Sequence, residues 1–176
     1  KDLKEKFGIT PEKCILKSLE YGINIVPGDF QTRSILQNCF YFQRKKFTEP
    51  INKPYKQAGS LREHDYIIKI YDKRFQFPEQ SDQELFRMEI KYGRMRPLNK
   101  MGIVYLSDLL IKDNHLKLYK ILQKCLSEIL FYDYTINPIK LSGTKQKNII
   151  DYANNNYWEN ILIGIKKETK NRKNFD

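Results

Sequence analysis

The chain has 176 residues, with 32 Lys+Arg against 21 Asp+Glu and a formal net charge of +11. That length suits one domain with a tail and can bury a real core, while the positive balance points to an anionic partner, either nucleic acid or an anionic membrane surface. No apolar run approaches the ~20 residues of a membrane span, the opening KDLKEKFGIT has no signal-peptide apolar segment, and the three scattered cysteines (Cys14, Cys39, Cys125) and two histidines rule out a disulfide framework or a His-rich metal cluster.

Residues 1–14 read as a polar lead-in. Leu16–Val26 then alternates, with Leu19, Tyr21, Ile23 and Ile25 on one side and Ser18, Glu20, Gly22 and Asn24 on the other, which predicts a half-buried strand. A Pro27-Gly28-Asp29 turn follows, with Asp29 placed to cap a helix. Residues 30–46 read as that helix, with Ile35, Leu36, Cys39 and Phe42 at helical spacing. Two prolines, a glycine and mixed charge make 47–64 a loop. Asp65–Lys73, rich in β-branched and aromatic residues, predicts a second strand. Residues 77–83 read as a hairpin-like connection to a third strand, Glu84–Tyr92. There Phe86, Met88 and Ile90 face the core, and Leu85, Arg87, Glu89 and Lys91 face out. A basic connector (93–103) leads to Ser107, placed to cap a short turn. His115–Asp133 is the strongest helix pattern, with Leu118, Ile121, Leu122, Cys125 and Ile129 in one stripe. Beyond Pro138 the chain turns polar and basic, as a tail or the start of a further region. Tyr157 and Trp158 lie there, suited either to docking on the core or to gripping DNA by stacking.

Strand–helix–strand–strand–helix, with antiparallel neighbours, predicts an α+β, ferredoxin-like layer: an antiparallel sheet with helices packed on one face and an open polar face. That face would gather Glu20 and Asn24, then Lys69, Tyr71 and Lys73, then Arg87, Glu89 and Lys91. Two carboxylates on adjacent strands are donors that a hard divalent cation, Mg²⁺ or Mn²⁺, accepts. Such an ion polarises a scissile phosphate. Lys and Arg beside it would hold flanking phosphates, and a tyrosine hydroxyl can attack phosphorus to form a phosphotyrosine link. His64, at the mouth of the second strand, is a candidate third ligand; His115, near a helix start, reads as structural. The same alternation also describes a solvated face of cross-strand ion pairs, and most members of a set of twelve tyrosines serve packing. The excess of Lys (24) over Arg (8), with frequent Ile and Asn, also fits A/T-rich coding as the source of part of the charge.

SLEYGINI, IIKIYDKRFQF, LFRMEIKYGRMRPLNKMGIVYLSDLL and a long helix ending in ILFYD follow one another over residues 16–133. In that order they resemble the replication initiators of filamentous phages (the gene II/X protein type) and related plasmid rolling-circle initiators. The family's acidic strand is matched by Glu20, and its Tyr-x-Lys strand by Tyr71 and Lys73. Its Arg-x-Glu strand and basic connector are matched by Arg87, Glu89, Arg94 and Gly102. The resemblance implies a site-specific single-strand endonuclease of the bacterial host cytoplasm. Such an enzyme nicks single-stranded or melted origin DNA through a tyrosine, with a divalent metal, and later rejoins the displaced strand; a host helicase is an expected partner. Residues 15–135 would be the nicking and DNA-binding domain, 1–14 the lead-in and 136–176 the basic tail. Lys69, Lys73, Arg87, Lys91, Arg94 and Arg96 are the expected DNA contacts.

Three departures from the family stand out. Gln76 occupies the place of an acidic residue that often follows the Tyr-x-Lys segment. The paired histidines of the wider superfamily are missing, so Glu20, Glu89 and His64 would have to supply the metal site. The nucleophile also stays open: Tyr71 is on the right face, Tyr119 is on the edge of the long helix, and Tyr132 and Tyr134 follow it. The rival reading is a non-catalytic single-stranded DNA- or RNA-binding module built on the same sheet. Such sheets present two or three aromatic rings, whereas this face is richer in charge.

Overall fold

A computed structural model describes residues 2–49, 51, 55–59, 65–80 and 82–162. Helix α1 (Asp2–Phe7) and a 3-10 turn (Pro11–Lys13) precede strand β1 (Leu19–Ile25). Then come α2 (Thr32–Asn38), β2 (Cys39–Phe42), β3 (Lys45–Lys46), β4 (Lys56–Gly59) and β5 (Tyr66–Asp72). The chain continues through α3 (Lys73–Gln76), β6 (Phe86–Tyr92), α4 (Arg96–Asn99), α5 (Lys112–Ser127), β7 (Ile129–Phe131) and α6 (Gly143–Ala153).

The main sheet has four antiparallel strands in the order β1-β6-β5-β4. The fold is therefore α+β with an antiparallel sheet. Within it, β1, α2, β5, β6 and α5 follow the ferredoxin-like plan: β6 lies between β1 and β5, which run parallel to each other. The strand that would complete that plan after α5 is β7. It leaves instead for a second sheet of order β3-β2-β7.

Strand alternation sorts the main sheet into two faces. The rows Tyr21–Ile90–Ile68 and Ile23–Met88–Ile70 lie on one face; Gly22–Glu89–Lys69 and Asn24–Arg87–Tyr71 lie on the other. Ile68, Ile70, Met88 and Ile90 are buried, and each such side chain contributes about 1.5–3 kcal/mol on leaving water. Helices α2 and α5 cover this apolar face. Ile35 and Leu36 of α2 and Leu118, Leu122 and Cys125 of α5 pack into the same core. The Cys125 sulfur lies 4.0 Å from the Tyr66 hydroxyl. The His115 ring packs against Tyr21 and meets the carbonyl of Leu109, the structural role expected of it. The three cysteines are unpaired, with Cys39 and Cys125 buried. Among the described residues no helix is long and apolar enough to cross a membrane.

Several local expectations change. The helix over 30–46 ends at Asn38, because the aromatic run CFYF is buried at every position as a strand between β3 and β7. Gln43 and Arg44, at φ 47° and 69°, make the two-residue turn back into β3. Asp29 does not cap α2. The Glu84 carboxylate accepts from the Thr32 N–H at 2.8 Å, a favourable charge at the helix N-terminus that holds this carboxyl below its usual range. The expected loop 47–64 contains β4, whose Lys-Gln-Ala-Gly carries none of the usual strand formers. β5 and β6 pair antiparallel through the expected hairpin-like connection, to which the structure adds α3, capped by Asp72 accepting from the Phe75 N–H at 2.9 Å, and a 3-10 turn (Pro78–Gln80). Asp108, not Ser107, caps the short turn, its carboxylate accepting from the Val104 and Tyr105 N–H groups at 2.7 Å each. Of the tail, α6 and a further stretch over 155–162 are helical. Trp158 donates to the Tyr152 carbonyl at 2.8 Å, and Glu159 pairs with Lys46 at 3.5 Å.

Candidate active site on the polar sheet face

Alternation places Glu20 and Asn24 of β1, Lys69 and Tyr71 of β5, and Arg87, Glu89 and Lys91 of β6 opposite the helices. The centre of this face is enclosed. Tyr71, Glu89 and Lys69 are only 6%, 7% and 8% exposed, while Glu20, Asn24 and Lys91 at the β1 side remain open to solvent. Because β5 runs straight into α3, Lys73, Gln76 and Phe77 wall off one side. A cavity of about 310 Å³ results, lined by those three with Glu20, Tyr55, Lys69, Tyr71, Arg87 and Glu89. Gly22 makes room for the carboxylate at its centre. A Cβ there would lie 2.6 Å from Glu89 Cγ and 2.7 Å from the Met88 carbonyl oxygen.

The polar groups form one network. The Tyr71 hydroxyl donates to Glu89 Oε1 at 2.9 Å, and Arg87 Nε donates to the same oxygen at 2.7 Å. Arg87 also donates to Asn24 Oδ1 at 2.8 Å. Lys69 Nζ donates to Glu20 Oε1 at 2.8 Å and stands 3.9 Å from Glu89 Oε2, while Lys91 reaches Glu20 at 3.1 Å. Charges this enclosed persist because they are paired and hydrogen-bonded. The hydrogen bond from Lys69, and then the one from Lys91, hold the Glu20 carboxyl below its usual range. Burial, and then the bond to Glu89, push the Tyr71 phenol up to about 12. Lys73 lies with its Nζ 3.7 Å from the centre of the Phe77 ring and has no carboxylate partner among the described residues. The Gln76 side-chain oxygen is buried and has no hydrogen-bond partner among the described residues.

Six of the expected site residues thus meet in one cavity: Glu20, Lys69, Tyr71, Lys73, Arg87 and Glu89. Lys91 joins them through Glu20. Arg94 and Arg96 are exposed beyond the end of β6 and do not line the cavity. Tyr119 lies on α5, which covers the opposite sheet face, and its hydroxyl accepts from Gln123 at 3.1 Å. Tyr134 packs against Phe30 and Phe131, and neither it nor Tyr132 lines the cavity. His64 lies outside the described residues. The sequence reading missed Tyr55 and Phe77. Tyr55 precedes a strand of four residues, too short for its alternation to register, and Phe77 is positioned only by α3.

Among the described residues, which do not include the expected third ligand His64, the donor set does not suit a resident divalent ion. The Lys69 ammonium stands between the two carboxylates expected to bind it, and Arg87 and Tyr71 occupy the second carboxylate. Lys69, Lys91 and Arg87 against Glu20 and Glu89 leave a surplus of one positive charge, whereas Mg²⁺ and Mn²⁺ want an oxygen-rich, net-anionic shell. Among the described residues no group of three or more His, Cys, Asp or Glu is arranged to hold a metal.

No family model, no curated protein and no solved structure matches the chain.

Proposed function

We propose that this face is a strand-transfer site on which Tyr71 nicks and rejoins single-stranded or melted origin DNA, initiating rolling-circle replication in the cytoplasm of a bacterial host. The observation that carries the reading is the Tyr71–Glu89 hydrogen bond inside a cavity edged by Lys69, Lys73 and Arg87. Nucleophile, base and a third group that orients the base stand in hydrogen-bond sequence: Tyr71, Glu89, Arg87.

The chemistry balances on these groups. As the Tyr71 oxygen bonds to phosphorus, its proton passes to Glu89, and the bond from phosphorus to the 3′ oxygen breaks. That oxygen takes a proton from water and leaves as a free 3′ hydroxyl, with the 5′ phosphate on the tyrosine. Rejoining is the reverse: a 3′ hydroxyl attacks the phosphotyrosine and gives its proton to hydroxide from the solvent, and protonated Glu89 returns its proton to the phenolate. A phenol raised to about 12 needs a base in the transition state, a contribution of about 10²–10⁴-fold for general-base catalysis. Lys73, without a carboxylate partner among the described residues, holds the phosphate, and Gln76 offers an acceptor to a sugar hydroxyl. The excess positive charge of the chain draws in the strand.

The test is a denaturing gel of protein incubated with single-stranded origin DNA of its own replicon. A covalent adduct on the 5′ side of the nick is expected, absent in Tyr71→Phe and slowed about 10²–10⁴-fold in Glu89→Gln. Salt-sensitive binding without any adduct would favour the non-catalytic binding module. Tyr55 and Phe77 supply the two rings that such a module uses for stacking.

A further inference from the structure

A second cavity, of about 380 Å³, opens at the β4 edge on the helix-covered side of the sheet, around the edge from the first. The two share a residue: Tyr55 lines both. They differ in chemistry. The first is walled by charged groups from three strands. The second has apolar walls from Leu36 and Ile70, the aromatic ring of Tyr55, and polar groups at its rim. Its ammonium is already committed, since Lys56 Nζ donates to the Leu36 carbonyl at 2.9 Å and stands 3.8 Å from Glu49. Arg33 and Gln37 lie one turn apart on α2, so they leave the helix on the same side, and both are solvent-exposed. Apolar walls with a few polar groups, in a cleft of a few hundred Å³, describe a site for a flat, mostly uncharged ligand.

The geometry points to this cavity as a base-reading subsite, holding a purine next to the phosphate that Tyr71 addresses. The inference rests on the nucleic-acid reading of the first cavity and adds to it where sequence preference would arise. Tyr55 is the stacking platform, and Lys69 of the charged network, 5.3 Å from the centre of its ring, ties that platform to the phosphate site. Arg33 and Gln37 are the edge readers. Arg matches the O6/N7 edge of guanine and Gln the N6/N7 edge of adenine, so both favour purines over pyrimidines. The strand then passes around the sheet edge at Tyr55, with a phosphate among the cations on one face and a base beyond Tyr55 on the other.

Fluorescence anisotropy with short labelled single strands tests this. Each position in turn is made purine, pyrimidine or abasic. In the wild type, one position should lose about 5- to 150-fold in affinity when abasic, the range of a single base–aromatic stack. Tyr55→Ala should lower affinity for the intact strand by a similar factor and make the abasic substitution there nearly silent. Arg33→Ala, a change at an exposed position, should weaken the purine preference at that position while sparing the response to the abasic site. Strands that bind with dependence on Lys73, yet give a flat abasic scan and no response to Tyr55→Ala or Arg33→Ala, would overturn the subsite and leave the strand-transfer reading standing. Absence of binding to every strand would overturn both.

Discussion

Gly22→Ala is the sharpest structural perturbation of the site. The new methyl would sit 2.6 Å from Glu89 Cγ and 2.7 Å from the Met88 carbonyl oxygen. The carbonyl belongs to the β1–β6 ladder, so it yields only if the strands separate locally. Overpacking of this kind costs about 1–3 kcal/mol. Pushing Glu89 aside also weakens its bond with Tyr71 or Arg87, and a hydrogen bond to a charged group contributes about 1.5–3 kcal/mol. The lower backbone entropy of alanine returns about 0.5–1 kcal/mol. The net is a loss of about 3 kcal/mol, which for a chain of this size lowers Tm by roughly 6–12 °C. Thermal melting followed by circular dichroism measures it. A Gly22→Ala protein as stable as the wild type, with Tyr71 still titrating as before, would show that Glu89 is not held against β1 as described.

Lys69→Gln should weaken the cluster while Glu20 keeps Lys91 and Glu89 keeps Arg87 and Tyr71, at a cost of about 1–3 kcal/mol, read by urea unfolding. The same variant should gain an Mn²⁺ site, seen by electron paramagnetic resonance and lost again on adding Glu89→Ala, whereas the wild type should show no Glu89-dependent Mn²⁺ binding. Because the Tyr71 phenol is raised to about 12, its stabilising effect is fully present below the ordinary tyrosine range and is lost as pH rises through 12. Alkaline unfolding should therefore begin at a different pH in Tyr71→Phe. The depressed Glu20 carboxyl acts in the opposite direction: its contribution is present above the ordinary carboxylate range and fades as pH falls through its lowered folded value, so Glu20→Gln should flatten the acid limb of a stability profile. Lys73→Ala should leave stability unchanged, weaken binding to all single strands alike, and reduce the slope of log affinity against log salt by about 1.

The two faces of the main sheet were legible because strand side chains alternate whatever lies around them. Glu20, Lys69, Tyr71, Arg87 and Glu89 could be assigned to one surface from local pattern alone. Which of them touch is a matter of register. Gly22, Glu89 and Lys69 form one row across three strands, and only that pairing puts an ammonium between two carboxylates. The CFYF run has no period to distinguish helix from strand; its partner β7, nearly ninety residues on, decides it. Strand β4 is short and lacks strand formers, so Tyr55 and the second cavity were hidden with it. Enclosure of the charged face depends on α3, whose four residues leave no periodic trace.

The central claim is that Tyr71 is the group that becomes bonded to DNA. Its most direct test is protease digestion of a protein–DNA adduct, followed by mass spectrometry of the nucleotide-bearing peptide. The account predicts the nucleotide phosphate on the peptide containing Tyr71. A nucleotide on Tyr119, Tyr132 or Tyr134, or an adduct that persists undiminished in Tyr71→Phe, would contradict it.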